Sequence, residues 1–314
     1  MTCLPTRDEL LAAGSGPNDP ANIPSKSAKP RVSGLSKDAR EIAYYMAGTT
    51  PSDWGALDAS WTQEQGRLAE ELTISRLGLL GIPVVGRQEG LPDDLPVTGH
   101  PDGQLISVPD QNVGRLFART IQDYYQEHKF QVAETLLSTL FADHQATLRF
   151  GDHGVVGFEN KHFGRYGYEK ILKLGLEAAE PEIIAQISLY GYALGWDSCY
   201  VAVTSQDASS IRGDMTQNRK VKDRSKMWVK DDMNPKLSTF VVDLRPYYNS
   251  LVPILLRRAE FFVRWMEEDG DPTHIAWEST PNPEQFPWSY SPYCTLALQD
   301  GQGSLVAPGL PWKE

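Results

Sequence analysis

The run Val155-Val156-Gly157-Phe158-Glu159-Asn160-Lys161 embeds a carboxylate and an ammonium in an otherwise apolar stretch. Its β-branched and aromatic start predicts a buried β-strand. On a strand, side chains two positions apart share a face, so Glu159 and Lys161 project together while Asn160 points the other way. An exposed ion pair on a strand contributes little. Two opposite charges set into an apolar strand instead mark a small polar site against the sheet.

Outward from this strand, Ala146 to Phe150 reads as a hairpin partner that turns at Gly151-Asp152-His153-Gly154. Further upstream, Ile82-Pro83-Val84-Val85 and Val97 to Ile106 read as short strands on either side of the turn Leu91-Pro92-Asp93-Asp94-Leu95-Pro96. Helices are predicted from Ser36, as N-cap, to about Ala47, from Thr62 to about Leu80, and from Asn112 to about His144. Downstream, 163–179 reads as a loop rich in Gly and Tyr. A helix from about Glu180 to Leu194, strands at Ser198 to Thr204 and Val241 to Leu244, and a long helix from Tyr247 to Glu268 follow. Strands interleaved with helices place the chain in the α/β class with α+β character. Residues 1–35, punctuated by Gly14, Gly16, Pro17, Pro20, Pro24 and Pro30, read as a flexible arm, 36–270 as a single domain, and 271–314 as a surface tail.

A chain of 314 residues, 40% hydrophobic and 23% charged, is long enough for a sizeable core. Its net charge of −11 excludes a protein that coats nucleic acid or anionic membrane through its overall field. No apolar stretch reaches the roughly 18 residues of a spanning helix, and the start lacks the layout of a secretory signal. A cytoplasmic protein that does not engage a membrane is therefore expected. Cys3, Cys199 and Cys294 are scattered and odd in number, which suggests neither a disulfide framework nor a zinc knuckle.

Three further signals accompany the strand. Gly99-His100-Pro101-Asp102-Gly103 lies at a strand end and offers a second carboxylate. If Asp102 sits beside Glu159, two hard oxygen ligands converge as Mg²⁺ or Mn²⁺ requires. Gln186-Ile187-Ser188-Leu189-Tyr190 sets Gln186 and Tyr190 one helical turn apart on one face. Gly66-Arg67-Leu68-Ala69-Glu70 offers a third carboxylate, with Glu71 as its competitor. His100, His153 and His162 flank these motifs, but their spacing matches no zinc pattern.

The order G-x-x-x-E, G-x-x-D, E-x-K, then Q-x-x-x-Y resembles the RecB-like branch of the PD-(D/E)XK nucleases, which also holds phage recombination exonucleases. The resemblance spans roughly residues 60–205. It implies a central mixed sheet flanked by helices and metal-dependent hydrolysis of DNA phosphodiesters. Asp102 and Glu159 would be metal ligands, joined by the Asn160 backbone carbonyl and by Glu70. Lys161 would be the catalytic lysine, with Gln186 and Tyr190 steering DNA or buttressing the site. The distance from Asp102 to Glu159 implies a helical insertion at about 110–147 and leaves Asp152 as a rival acid. Iron–sulfur members carry four cysteines where this chain has three in other places, so no cluster is expected.

Between 212 and 236, eight basic residues stand against four acidic ones. This stretch reads either as a solvated insertion or as a patch that grips the DNA backbone through Arg219, Lys220, Lys222, Arg224 and Lys226, with Trp228 stacking on a base. The expectation is a Mg²⁺- or Mn²⁺-dependent deoxyribonuclease, an exonuclease or end-processing enzyme of recombination, repair or phage DNA metabolism, in the host cytoplasm if phage-encoded. Its partners would be DNA ends, single- or double-stranded, and a single-strand annealing or recombination protein; a homo-oligomer is compatible with this. The alternatives are a non-catalytic DNA-binding partner on a nuclease fold and a structure-specific endonuclease.

Overall fold

A computed structural model describes residues 26–49, 56–126, 130–205, 236–278, 300 and 303–312. In chain order they form α1 (Ala39–Met46), α2 (Ala56–Leu79), β1 (Val84–Val85), β2 (Gly103–Leu105), α3 (Gln111–Gln126), α4 (Phe130–Asp143), β3 (Val156–Phe163), α5 (Arg165–Leu174), α6 (Leu176–Ala179), α7 (Pro181–Leu194), β4 (Ser198–Ser205), β5 (Lys236–Asp243), α8 (Arg245–Ser250) and α9 (Val252–Glu268). The chain is mixed α/β and gathers into two compact units. One comprises 1–65, 90–99 and 247–314, the other 66–89 and 100–246. Among the described residues, no helix is long and apolar enough to cross a membrane.

In the first unit, Ala39, Ile42, Ala43 and Met46 recur at helical spacing on α1 and bury against Phe262 and Trp265 of α9, with Ile275 and Ala307. Asp38, not Ser36, caps α1, its side chain accepting from the Arg40 amide. Val32 and Leu35 are buried, and the Val32 amide donates to the Thr98 carbonyl, so residues 26–35 belong to this unit instead of forming an arm. Ile275, Ala307 and Leu310 are buried too, which corrects the expected surface tail for those positions. The long helix expected from Tyr247 divides at Leu251 into α8 and α9. Residues 1–25 and most of 279–302 lie outside the described residues.

The second unit is built on a five-stranded mixed sheet in the order β1-β2-β3-β4-β5. β3 pairs parallel with β4, and every other pairing is antiparallel. A parallel pair needs a crossover, supplied here by α5 to α7. Ile74 and Leu77 of α2 pack with Val156, Phe158 and Ala202 on one face. On the opposite face Gln186 of α7 reaches Glu159. β4 is buried along almost all its length, as a central strand covered on both faces should be.

The expected insertion is helical: α3 and α4 share a core of Val85, Ile106, Val108, Ile121 and Leu140. The expected hairpin is reduced to a single bridge, Arg149 to Val155, because Gly151–His153 takes a tight helical turn. Residues 165–179 are helical instead of a loop; the buried pair Tyr168 and Ile171 gives α5 its inner face despite the glycines around it. Among the glycines dictated by space are Gly157 and Gly103. A Cβ at Gly157 would lie 2.0 Å from the Trp196 ring, and one at Gly103, where φ is +145°, would lie 2.6 Å from Val84 Cγ1.

Candidate active site

The alternation of β3 places Glu159 and Lys161 on one face, as the sequence predicts. Lys161 Nζ lies 2.6 Å from Glu159 Oε1. Gln186, projecting from α7, closes a triangle with them: its Nε2 donates to Glu159 Oε1 at 2.9 Å and its Oε1 accepts from Lys161 Nζ at 3.0 Å. Glu159 is 1% exposed. Its second oxygen, Oε2, is sealed from solvent and has no hydrogen-bond partner. The Lys161 side chain is 25% exposed, so the site opens on the lysine side.

Asp102 immediately precedes β2, which pairs with β3 through Gly103 and Phe158. This pairing brings the Asn160 amide to Asp102 Oδ2, to which it donates at 2.7 Å. Asp102 is therefore the acid beside Glu159, while the rival Asp152 stands exposed in the turn 151–153. The Asn160 side chain points to the other face, as alternation requires. There the Thr73 hydroxyl sits between Asn160 Oδ1 at 3.1 Å and the Ala69 carbonyl at 2.8 Å, sharing its proton between them. This contact clamps α2 to β3 three residues beyond Glu70, on the same helix face. α2 approaches β3 closely at Gly66, where an added Cβ would meet His162 Cβ at 3.7 Å.

The adjacent acids Glu70 and Glu71 of α2 have different surroundings. Glu70 feels the charge of Asp102, and Glu159 feels that of Glu70. Glu71 turns to Arg87, whose Nη2 and Nη1 donate to its two oxygens at 2.5 and 3.4 Å, and it also accepts from Gln122 Nε2 at 3.4 Å. Arg87 Nη2 reaches Glu70 Oε1 as well, at 3.0 Å. Arg87 escaped the sequence reading because a single arginine in a turn carries no periodicity or motif spacing.

Tyr190 is buried. Its hydroxyl donates to the His100 carbonyl at 3.3 Å and its ring meets Trp196 edge-on, so it buttresses the Asp102 segment. Thr204 Oγ1 lies 3.2 Å from the Lys161 carbonyl, to which it donates, and 3.0 Å from His162 Nδ1. His100 turns its Nδ1 to the Gln88 carbonyl, and His153 is exposed in the same turn as Asp152.

Burial governs the electrostatics. It lifts the Glu159 pKa to about 8, with the Asp102 charge adding and Lys161 opposing. Burial and the Asp102 charge lift Glu70 to about 7 against the pull of Arg87. Asp102 is raised by burial, opposed by Lys161 and the Asn160 amide. Burial works against the Lys161 ammonium, but Glu159 and Asp102 outweigh it and raise its pKa, so it stays protonated. Burial, then the Glu159 charge, raises Tyr190. With all carboxylates ionised, Glu70, Asp102 and Glu159 outnumber the cations Lys161 and Arg87 that they share with Glu71.

That imbalance and the unpartnered Glu159 oxygen fit a hard divalent cation such as Mg²⁺ or Mn²⁺. Among the described residues, no group of three or more His, Cys, Asp or Glu side chains is placed to hold an ion. The basic residues Arg219, Lys220, Lys222, Arg224 and Lys226, with Trp228, lie outside the described residues. No protein-family model matches the chain, and no curated protein and no solved structure is significantly similar to it.

Proposed function

We propose that the chain is a divalent-metal-dependent DNA nuclease with a PD-(D/E)XK-type site, acting on DNA ends. The observation that carries this reading is the meeting of Asp102, Glu159 and Lys161, with Glu159 Oε2 buried and unpartnered. An unmet buried acceptor costs about 1–3 kcal/mol, a cost that a bound cation at Glu159 Oε2 would relieve.

Asp102, Glu159 and Glu70 would hold the metal with the Asn160 carbonyl, and the metal would supply Lewis-acid activation of water and charge neutralisation at the phosphate. The protein's own residues do the rest. Lys161, held by Glu159 and Gln186, presents a fixed ammonium at the open side of the site, where it offsets charge that builds on the phosphate oxygens. Glu159 and Asp102 raise its pKa, which suits it to act as a cation. Gln186 fixes the distance between Lys161 and Glu159, and Tyr190 holds the backbone at His100 two residues ahead of Asp102.

The deciding experiment is digestion of end-labelled linear DNA and of circular DNA with Mg²⁺ or Mn²⁺ by the wild type and Lys161→Ala. Metal-dependent loss of linear DNA by the wild type alone, with circles resistant, is expected. Equal cleavage by both proteins removes Lys161 from the reaction. DNA binding without cleavage in either metal replaces the enzyme with a binding module, and rapid nicking of circles turns it into an endonuclease.

A further inference from the structure

We propose that Arg87 is a built-in counter-cation of the site, pairing with Glu70 when no metal is bound and passing wholly to Glu71 when a divalent cation claims Glu70. The proposal rests on the metal-dependent reading above and assigns Arg87 and Glu71 as positioning residues that set how readily the metal is admitted.

Five observations support it. Arg87 is 9% exposed, an unusual place for an arginine unless its charge is used. Its Nη2 is already shared between Glu70 Oε1 at 3.0 Å and Glu71 Oε1 at 2.5 Å. With Nη1 also on Glu71, the fork is seated on that residue and only touches Glu70, so release of Glu70 strands no charge. Glu71 is steadied in turn by Gln122 of α3, so the accepting partner is held from the helical insertion. The buried Nε of Arg87 has no hydrogen-bond partner, so the fork is not locked on every side.

The backbone aims this side chain. Arg87 lies between Gly86 at φ +64° and Gln88 at φ +58°, the latter a conformation that a residue with a side chain rarely adopts. Gln88 is tied on both sides to the Asp102 segment: its amide donates to the Pro101 carbonyl at 2.9 Å and its own carbonyl accepts from His100 Nδ1 at 2.9 Å. A strained turn bolted to the segment that carries Asp102 keeps Arg87 in register with the carboxylates.

The test is Mn²⁺ binding, followed by calorimetry and by the spin-resonance signal of the free ion, for wild type, Arg87→Met, Glu71→Gln and the double variant. Removing the competitor for Glu70 should tighten Mn²⁺ binding about tenfold, a change of the size that outer residues impose on metal sites but of opposite sign. Glu71→Gln, which leaves Arg87 only Glu70, should weaken binding several-fold. The Glu71→Gln effect should largely vanish in the Arg87→Met background, whereas a simple loss of nearby charge would persist there. Unchanged or weaker binding by Arg87→Met, or an undiminished Glu71→Gln effect in the double variant, overturns the proposal while leaving the metal reading intact. A wild type that binds no Mn²⁺ overturns both. If Arg87→Met does not fold, Arg87→Gln carries the same expectation.

Discussion

Arg258 in the first unit and Glu159 in the second are both almost wholly buried charges facing an opposite charge, yet they are finished differently. Around Arg258, Nε donates to the Leu35 carbonyl at 3.0 Å, Nη2 to the Lys37 carbonyl and to Glu278, and Nη1 to Glu278 and the Pro308 carbonyl. All five N–H groups have acceptors. The guanidinium stitches four separate stretches of chain together and has nothing left to offer a ligand. Glu159 spends one oxygen on Lys161 and Gln186 and leaves the other bare, with Asp102 and Glu70 adding repulsion. Arg258 is complete as it stands, whereas Glu159 keeps one buried acceptor open.

The contrast breaks most visibly in activity. Glu159→Gln should lower DNA cleavage by about 10³-fold or more, in the range lost when a charge-stabilising group is removed from an active site. Its melting temperature should be unchanged or higher, because a buried charge becomes neutral; parallel digestion and thermal unfolding of the purified variant check both. Arg258→Met should do the reverse. Leaving Glu278 without its partner should cost about 3–5 kcal/mol in denaturant unfolding, with Mn²⁺ affinity of the folded fraction unchanged.

A subtler test uses pH. Glu159 and Glu70 have pKa values lifted from 4.5 to about 8 and about 7, so the folded, metal-free protein binds protons that the unfolded chain releases. Their contribution to stability is therefore greatest below about pH 4.5 and is lost as pH rises toward about 8. Melting temperatures measured between about pH 5 and pH 8 should fall in the metal-free protein. Mn²⁺ should flatten that fall, and Glu159→Gln should reduce it. The smallest effect is expected from Thr73→Val, which removes the clamp between α2 and β3. It should cost about 1 kcal/mol and loosen Mn²⁺ binding slightly by freeing Glu70, read from unfolding and calorimetry.

What could be foreseen follows from which signals are local. The shared face of Glu159 and Lys161 follows from strand periodicity, and the turn spacing of Gln186 and Tyr190 from helix periodicity, so both were legible before any fold was known. The choice of Asp102 over Asp152 depended on which segment pairs with β3, a non-local fact that the sequence hinted at only through motif order. Glu70 and Glu71 differ by one helical step, and only the position of Arg87 and Gln122 separates them. The misread stretch at 165–179 hid a helix because Gly164, Gly167 and Gly175 outweighed the inner pair Tyr168 and Ile171. Ile275, Ala307 and Leu310 were missed as core because they sit in short segments broken by prolines, with no period to betray them.

The pairing of β3 reaches further than the site's chemistry. Asn160 finds Asp102 across 58 positions, Tyr190 finds His100 across 90, and Trp196 finds Gln104 across 92. Each of these links must close a long loop before it gains anything, and the parallel pair of β3 with β4 waits on the crossover helices. The carboxylates should therefore meet only at the last stage of folding. A chain still being synthesised would then carry Asp102, Glu159 and Lys161 separated, and would gather them only when the sheet is complete.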